Sequence, residues 1–250
     1  MKWRYKIKIS WLWVLFLPFL SLVSFSRVYF DVLLMLIFHE LMHVFSASLL
    51  GIKVEQIMIY PFGMCAKFHG FGLGKPLQEG IVASMGICSH FFIGGILFLL
   101  FQIKWISNPY YQYLSDVNIG LALFNFIPIY PLDGFRMLQS LLHQWIPYRR
   151  AYLLSLLLSW LFLFLNTEIW CSSISAFMIS ILSMFATLRL WYHRHHHYLT
   201  FYWYRYLHQI KAKPKYHMHQ DLYRGYENYI IRNEMVVHET KWLYEKLGKW

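Results

Sequence analysis

The segment His39-Glu40-Leu41-Met42-His43 places two histidines four residues apart with a glutamate between them. On a helix of 3.6 residues per turn the two imidazoles stand about 40° apart and can reach one cation. Glu40 lies about 100° round from His39, close enough to take a proton from water without itself binding the metal. The donors suit zinc, whose catalytic sites use three protein ligands and keep a fourth position open. The setting matters as much as the spacing. The flanking residues from Val28 to Leu50 are mostly apolar, and a charged group at mid-bilayer is penalised by about 2.5–3.5 kcal/mol on insertion scales. The alternative is a cluster of hydrogen-bonded polar residues joining neighbouring helices.

A third ligand must come from elsewhere in the chain. The extended zincin pattern would need histidine at position 49, where Leu49 stands, and Glu55 follows too closely, beyond the expected helix end. The better candidate is the run Asn125-Phe126-Ile127-Pro128-Ile129-Tyr130-Pro131-Leu132-Asp133-Gly134. Its prolines remove backbone donors and open the helix, so that Asp133 can turn inward as an oxygen ligand. The other reading of Asp133 is an N-cap for a helix over Phe135 to Leu142. Asn125 is then placed to hydrogen-bond substrate or the groups behind the ligands.

The elements that must carry these residues follow from composition. The 250 residues are 58% hydrophobic and only 14% charged, against about 45–50% and 25% in soluble domains. That excludes a water-soluble globule, and 20% aromatics with a mean hydropathy of +0.39 exclude a disordered chain. Cys65, Cys88 and Cys171 have no metal or disulfide spacing and read as small apolar residues. Six windows can span a bilayer: Ser10 to Ser26, Val28 to Leu50, Glu79 to Ile103, Tyr113 to Ile129, Ala151 to Leu165 with flanks, and Ser172 to Leu190. The fold class expected is therefore an all-α polytopic membrane protein of about six transmembrane helices.

Lys2, Arg4, Lys6 and Lys8 place the N-terminus inside, and the remaining loops alternate in basic content, so both termini are expected in the cytoplasm of a multi-pass cell-membrane protein. The first window also resembles a cleaved signal peptide, which would leave five spans. Between the second and third windows, Val54, Ile57, Ile59 and Phe62 alternate before Gly63, which predicts a short membrane-associated β-hairpin. An extended substrate could pair along that hairpin, so Ile57 and Ile59 are substrate-binding candidates. Residues 1–190 form the membrane domain. Residues 191–250, with 10 of the 23 lysines and arginines and 8 of the 13 histidines, form a basic, His- and aromatic-rich cytoplasmic tail. Anionic lipid is its natural partner, and nucleic acid is not expected.

The His39-to-His43 segment, followed by Asn125-x-x-Pro128-x-x-x-Leu132-Asp133-Gly134, resembles the site-2 protease family of intramembrane zinc metalloproteases over roughly residues 1–190. It is most similar to the sporulation branch, which processes a pro-sigma factor. The resemblance implies Zn2+ held by His39, His43 and Asp133, Glu40 as general base, and a membrane-anchored or membrane-associated protein substrate. A regulatory membrane protein and a second copy of the chain are further partners to consider. The family's Gly-Pro-x-x-Asn element survives here only as Gly86, with His90 in the asparagine place, and the branch's C-terminal CBS module is not carried over. Two rival readings are a catalytically silent membrane scaffold of the same fold and a metal transporter. The intact motif argues against the first, and the scarcity of carboxylates in the later spans, where only Asp116 is available, argues against the second. The run from His193 to His197 reads as a flexible headgroup contact rather than a metal site, and His238-Glu239 lacks a second histidine.

Overall fold

A computed structural model describes residues 6–11, 14, 26–60, 63–167, 174–208, 212–218, 221–232 and 235–248. The chain divides into two compact units, one of residues 1–71 and 81–126, the other of residues 72–80 and 127–250. Among the described residues, three helices are long and apolar enough to cross a membrane: Arg27–Leu49, Pro76–Gln102 and Tyr148–Leu165, with Ala176–Tyr192 a shorter apolar helix. The first expected span lies almost wholly outside the described residues.

The first unit contains strand β1 (Lys6–Ile9), helix α1 (Ser26–Leu49), strands β2 (Val54–Tyr60) and β3 (Gly63–Phe68), most of helix α2 (Pro76–Gln102) and helix α3 (Asn108–Phe126). The end of α1 is set by a glycine. Gly51 adopts φ +73°, Ile52 donates to the Ala47 carbonyl at 2.8 Å and Gly51 to Ser48 at 3.1 Å, the paired closure of a Schellman motif. The chain leaves that turn directly into β2. Ala47, Val54, Ile57, Ala66, Phe68 and Val82 form one buried cluster joining α1, the sheet and α2. Met35, Ile93, Leu97 and Leu114 form a second, between α1, α2 and α3.

The expected hairpin is present as β2 and β3, and a third strand corrects only the expectation of a free edge. The sheet order is β1-β2-β3, with β1 parallel to β2 in the register Ile7 to Ile57 and Ile9 to Ile59, and β3 antiparallel to β2. The strand expected to offer an open edge is therefore the central one, paired on both sides. Helix α3 also differs from the expected span Tyr113 to Ile129. It starts earlier and stops at Phe126, because Pro128 cannot continue the hydrogen-bond ladder.

The second unit contains the first turn of α2, then α4 (Asp133–Trp145), α5 (Tyr148–Leu165), α6 (Ile174–Tyr192), α7 (Arg194–Leu207), β4 (Pro214–His217), β5 (Glu227–Arg232), β6 (Met235–His238) and α8 (Glu239–Leu247). The segment read as a tail is folded. Tyr198, Phe201 and Tyr202 of α7 enter one core with Phe135, Tyr148 and Trp242, and the expected flexible histidine run lies in and just before α7. Strands β4 to β6 form a second three-stranded sheet. Arg205 is fully buried and meets Glu239 at 2.6 Å, while Asn228 donates to the same carboxylate at 2.7 Å. Arg224 pairs with Glu79 and donates to the Gly74 carbonyl at 3.1 Å, tying the C-terminal segment to the start of α2.

Candidate metal centre

His39 and His43 sit one turn apart on α1, and only 4% and 5% of their surfaces are exposed. Their Nε2 atoms stand 3.1 Å apart, with the rings edge to face at 84°. Glu40 joins them: each of the three residues offers a ligand atom within 4.8 Å of the others. The histidine Nδ1 atoms face away from this point. That of His43 lies 2.7 Å from the Val82 carbonyl, which can only accept, so His43 carries its proton on Nδ1 and turns a bare Nε2 toward His39. A cation between the two rings satisfies that arrangement.

Helix α2 supplies the space. A Cβ added at Gly86 would stand 2.2 Å from His43 Cε1, 2.3 Å from His43 Nε2 and 2.8 Å from His39 Cε1. Only glycine lets the α2 backbone approach the two rings this closely. One turn further along α2, His90 Nε2 lies 3.2 Å from His39 Nδ1, and His90 Nδ1 lies 2.8 Å from Asn118 Oδ1 on α3. Both His90 and Asn118 are buried. Sequence reasoning noticed His90 without giving it a role and missed Asn118. The signal was available, since Gly86 and His90 are four residues apart on one helix face and Asn118 is the last polar residue before the apolar run Ile119 to Phe124.

No known family profile matches the chain. It is 32% identical over 127 residues to a zinc metalloprotease of Methanocaldococcus jannaschii, a match covering 48% of this chain and 37% of that protein. It is 26% identical over 125 residues to stage IV sporulation protein FB of Bacillus subtilis, covering 50% and 43%. The chain thus spans less than half the length of these curated relatives. Among solved structures it superposes on the site-2 protease from Methanocaldococcus jannaschii with a TM-score of 0.53 and 22% identity, over 76% of this chain and 93% of that one. The fold is that of a site-2 protease.

Within this site-2 protease fold the remaining expected site residues are placed as follows. Asn125 lies in the last turn of α3, where Nδ2 donates to the Leu121 carbonyl at 3.0 Å, leaving its Oδ1 as the acceptor. Asp133 is the first residue of α4 and half-buried. Leu132 occupies the N-cap position without a side-chain cap, so Asp133 is not the N-cap that the alternative reading required. It belongs to the second unit, and the histidines to the first. Ile57 packs its side chain into the core of the first unit, and the Ile59 carbonyl accepts from Ser10 N at 2.9 Å. Glu55, set aside as a ligand, pairs with His69 at 2.7 Å. His238 caps α8, and Glu239 serves the buried Arg205.

Proposed function

We propose that the protein is an intramembrane zinc endopeptidase that cleaves a membrane-anchored or membrane-associated protein. The observation that carries this reading is a pair of buried imidazoles, Nε2 facing Nε2 at 3.1 Å, beside Glu40 on a helix apolar enough to cross a membrane. The zinc metalloproteases among its relatives and the fold support it. His39 and His43 would hold the ion, and Asp133 is the carboxylate this reading takes as the third ligand, since a catalytic zinc uses three protein donors. When bound, zinc supplies Lewis acidity toward a peptide carbonyl and toward water. Glu40 then takes the proton of the attacking water and returns it to the leaving nitrogen as the C–N bond breaks. Asn125 Oδ1, next to the helix break, accepts a hydrogen bond from the substrate backbone.

A helical substrate hides its carbonyls, so the scissile segment must be extended. Because β2 is paired on both sides, the substrate strand adds instead to the outer edge of β1, whose four residues are exposed. Ile57 and Ile59 hold that platform rather than touching substrate. The reading further includes six spans, both termini in the cytoplasm, and a pro-sigma factor as the substrate class, the last resting on the motif resemblance to the sporulation branch. The test is cleavage of candidate membrane-anchored substrates in proteoliposomes, wild type against Glu40→Gln, with zinc content measured on both.

A further inference from the structure

We propose that His90 and Asn118 are positioning residues that hold His39 in the tautomer able to bind metal. This inference rests on the reading of His39 and His43 as metal ligands. The sequence of partners assigns the proton on each Nδ1 in turn. Asn118 Nδ2 donates to the main-chain carbonyl of His90 at 2.9 Å, and a carbonyl can only accept, which sets the orientation of the amide. Its Oδ1 must then be the atom 2.8 Å from His90 Nδ1. Amide oxygen also only accepts, so His90 bears its proton on Nδ1 and presents a lone pair at Nε2. That lone pair lies 3.2 Å from His39 Nδ1, so His39 donates from Nδ1 and its Nε2 is bare, facing the bare Nε2 of His43. One backbone carbonyl thereby determines the state of a ligand two side chains away.

His90 reaches the ring from behind, through the nitrogen that does not face His43, so it acts through His39 rather than as a ligand. The chain runs from α3 through α2 to α1, holding the ring from two neighbouring helices. Groups that orient a metal-bound histidine through its second nitrogen typically change metal affinity by about 10–100-fold when removed.

The test uses the full chain in detergent, with zinc affinity measured by chelator competition and Co2+ d–d absorption as a second readout. Glutamine at position 90 can place an amide oxygen where Nε2 stood, whereas phenylalanine removes the acceptor and keeps the bulk. His90→Phe is expected to weaken zinc binding by about 10–100-fold and alter the Co2+ spectrum, and His90→Gln to restore affinity to within about fivefold of wild type. Asn118→Asp, which retains the acceptor, should bind zinc more tightly than Asn118→Leu, which gives a second comparison should phenylalanine disturb the packing. The proposal is overturned if His90→Phe binds as tightly as wild type, or if glutamine and phenylalanine lose affinity equally and Asp and Leu at 118 do the same. A wild-type chain that binds no zinc would instead defeat the underlying metal-site reading.

Discussion

Gly86→Ala is the smallest change that tests the metal centre's construction. The added methyl would lie 2.2 Å from His43 Cε1, whereas ordinary van der Waals contact begins at 3.4 Å. Either the ring or the α2 backbone must therefore retreat by about 1.2 Å, the difference between those two distances. A ring retreat of that size breaks the His43 Nδ1 contact with Val82 and displaces Nε2 from its partner. Overpacking of this kind costs about 1–3 kcal/mol, and a misplacement of about 1 Å in a catalytic group lowers rates by about 100-fold. Zinc affinity, read by chelator competition, should fall by at least about tenfold, and cleavage by about 100-fold or more. Gly95, on the same helix, has nothing within 4 Å of an added Cβ. Gly95→Ala should leave both quantities unchanged and can stabilise the helix by up to about 1 kcal/mol. If Gly86→Ala holds zinc and cleaves as wild type, the close approach of α2 to the two rings is not part of the site.

Other expectations concern the second unit and the topology. Burial first, and the Arg224 charge second, hold His143 well below the ordinary histidine value of 6.5, so below that pH the unfolded chain takes up a proton that the folded chain does not. Its contribution to stability is full above about pH 6.5 and is lost as pH falls, by up to about 1.4 kcal/mol per pH unit. Denaturant titrations between about pH 7 and 5 should show a shallower slope in His143→Phe, and an unchanged slope would refute the assignment. Glu239→Gln leaves the fully buried Arg205 without its counter-charge and should destabilise the unit by about 3–5 kcal/mol; the double variant Arg205→Met/Glu239→Gln should recover much of that loss in thermal melts. Single cysteines at Lys75 and Arg149 should react with impermeant reagents only once the inner face is opened, and labelling of both from outside intact cells would invert the topology.

The metal motif was legible because a helix makes it local: His39, Glu40 and His43 need only their own turn of α1 to meet. The helices holding them were legible from long apolar runs for the same reason. What escaped the sequence depends on partners far along the chain. The alternation Lys6-Ile7-Lys8-Ile9 is a period-two signal, yet those lysines were read only for their charge. That they pair with β2 across the whole of α1 is a matter of tertiary structure. His90 acquires meaning only when α1 and α3 flank it. The C-terminal segment was read as a tail because it is basic and aromatic, but Arg205 is buried through a carboxylate 34 residues away, and no local pattern announces such a pairing. Asp133 was legible as a turn-forming carboxylate after two prolines, and its proposal as a ligand rests on chemistry rather than on spacing.

The central claim is that Glu40 moves a proton at a zinc site held by its neighbours. It is tested most directly by purifying wild type and Glu40→Gln side by side, measuring zinc per chain by mass spectrometry and cleavage of a membrane-anchored substrate in the same proteoliposomes. Zinc should be equal, near one ion per chain in both, by the single-site ligand count, with cleavage lost in Glu40→Gln. Retained cleavage in that variant, or zinc absent from the wild type, would contradict the claim.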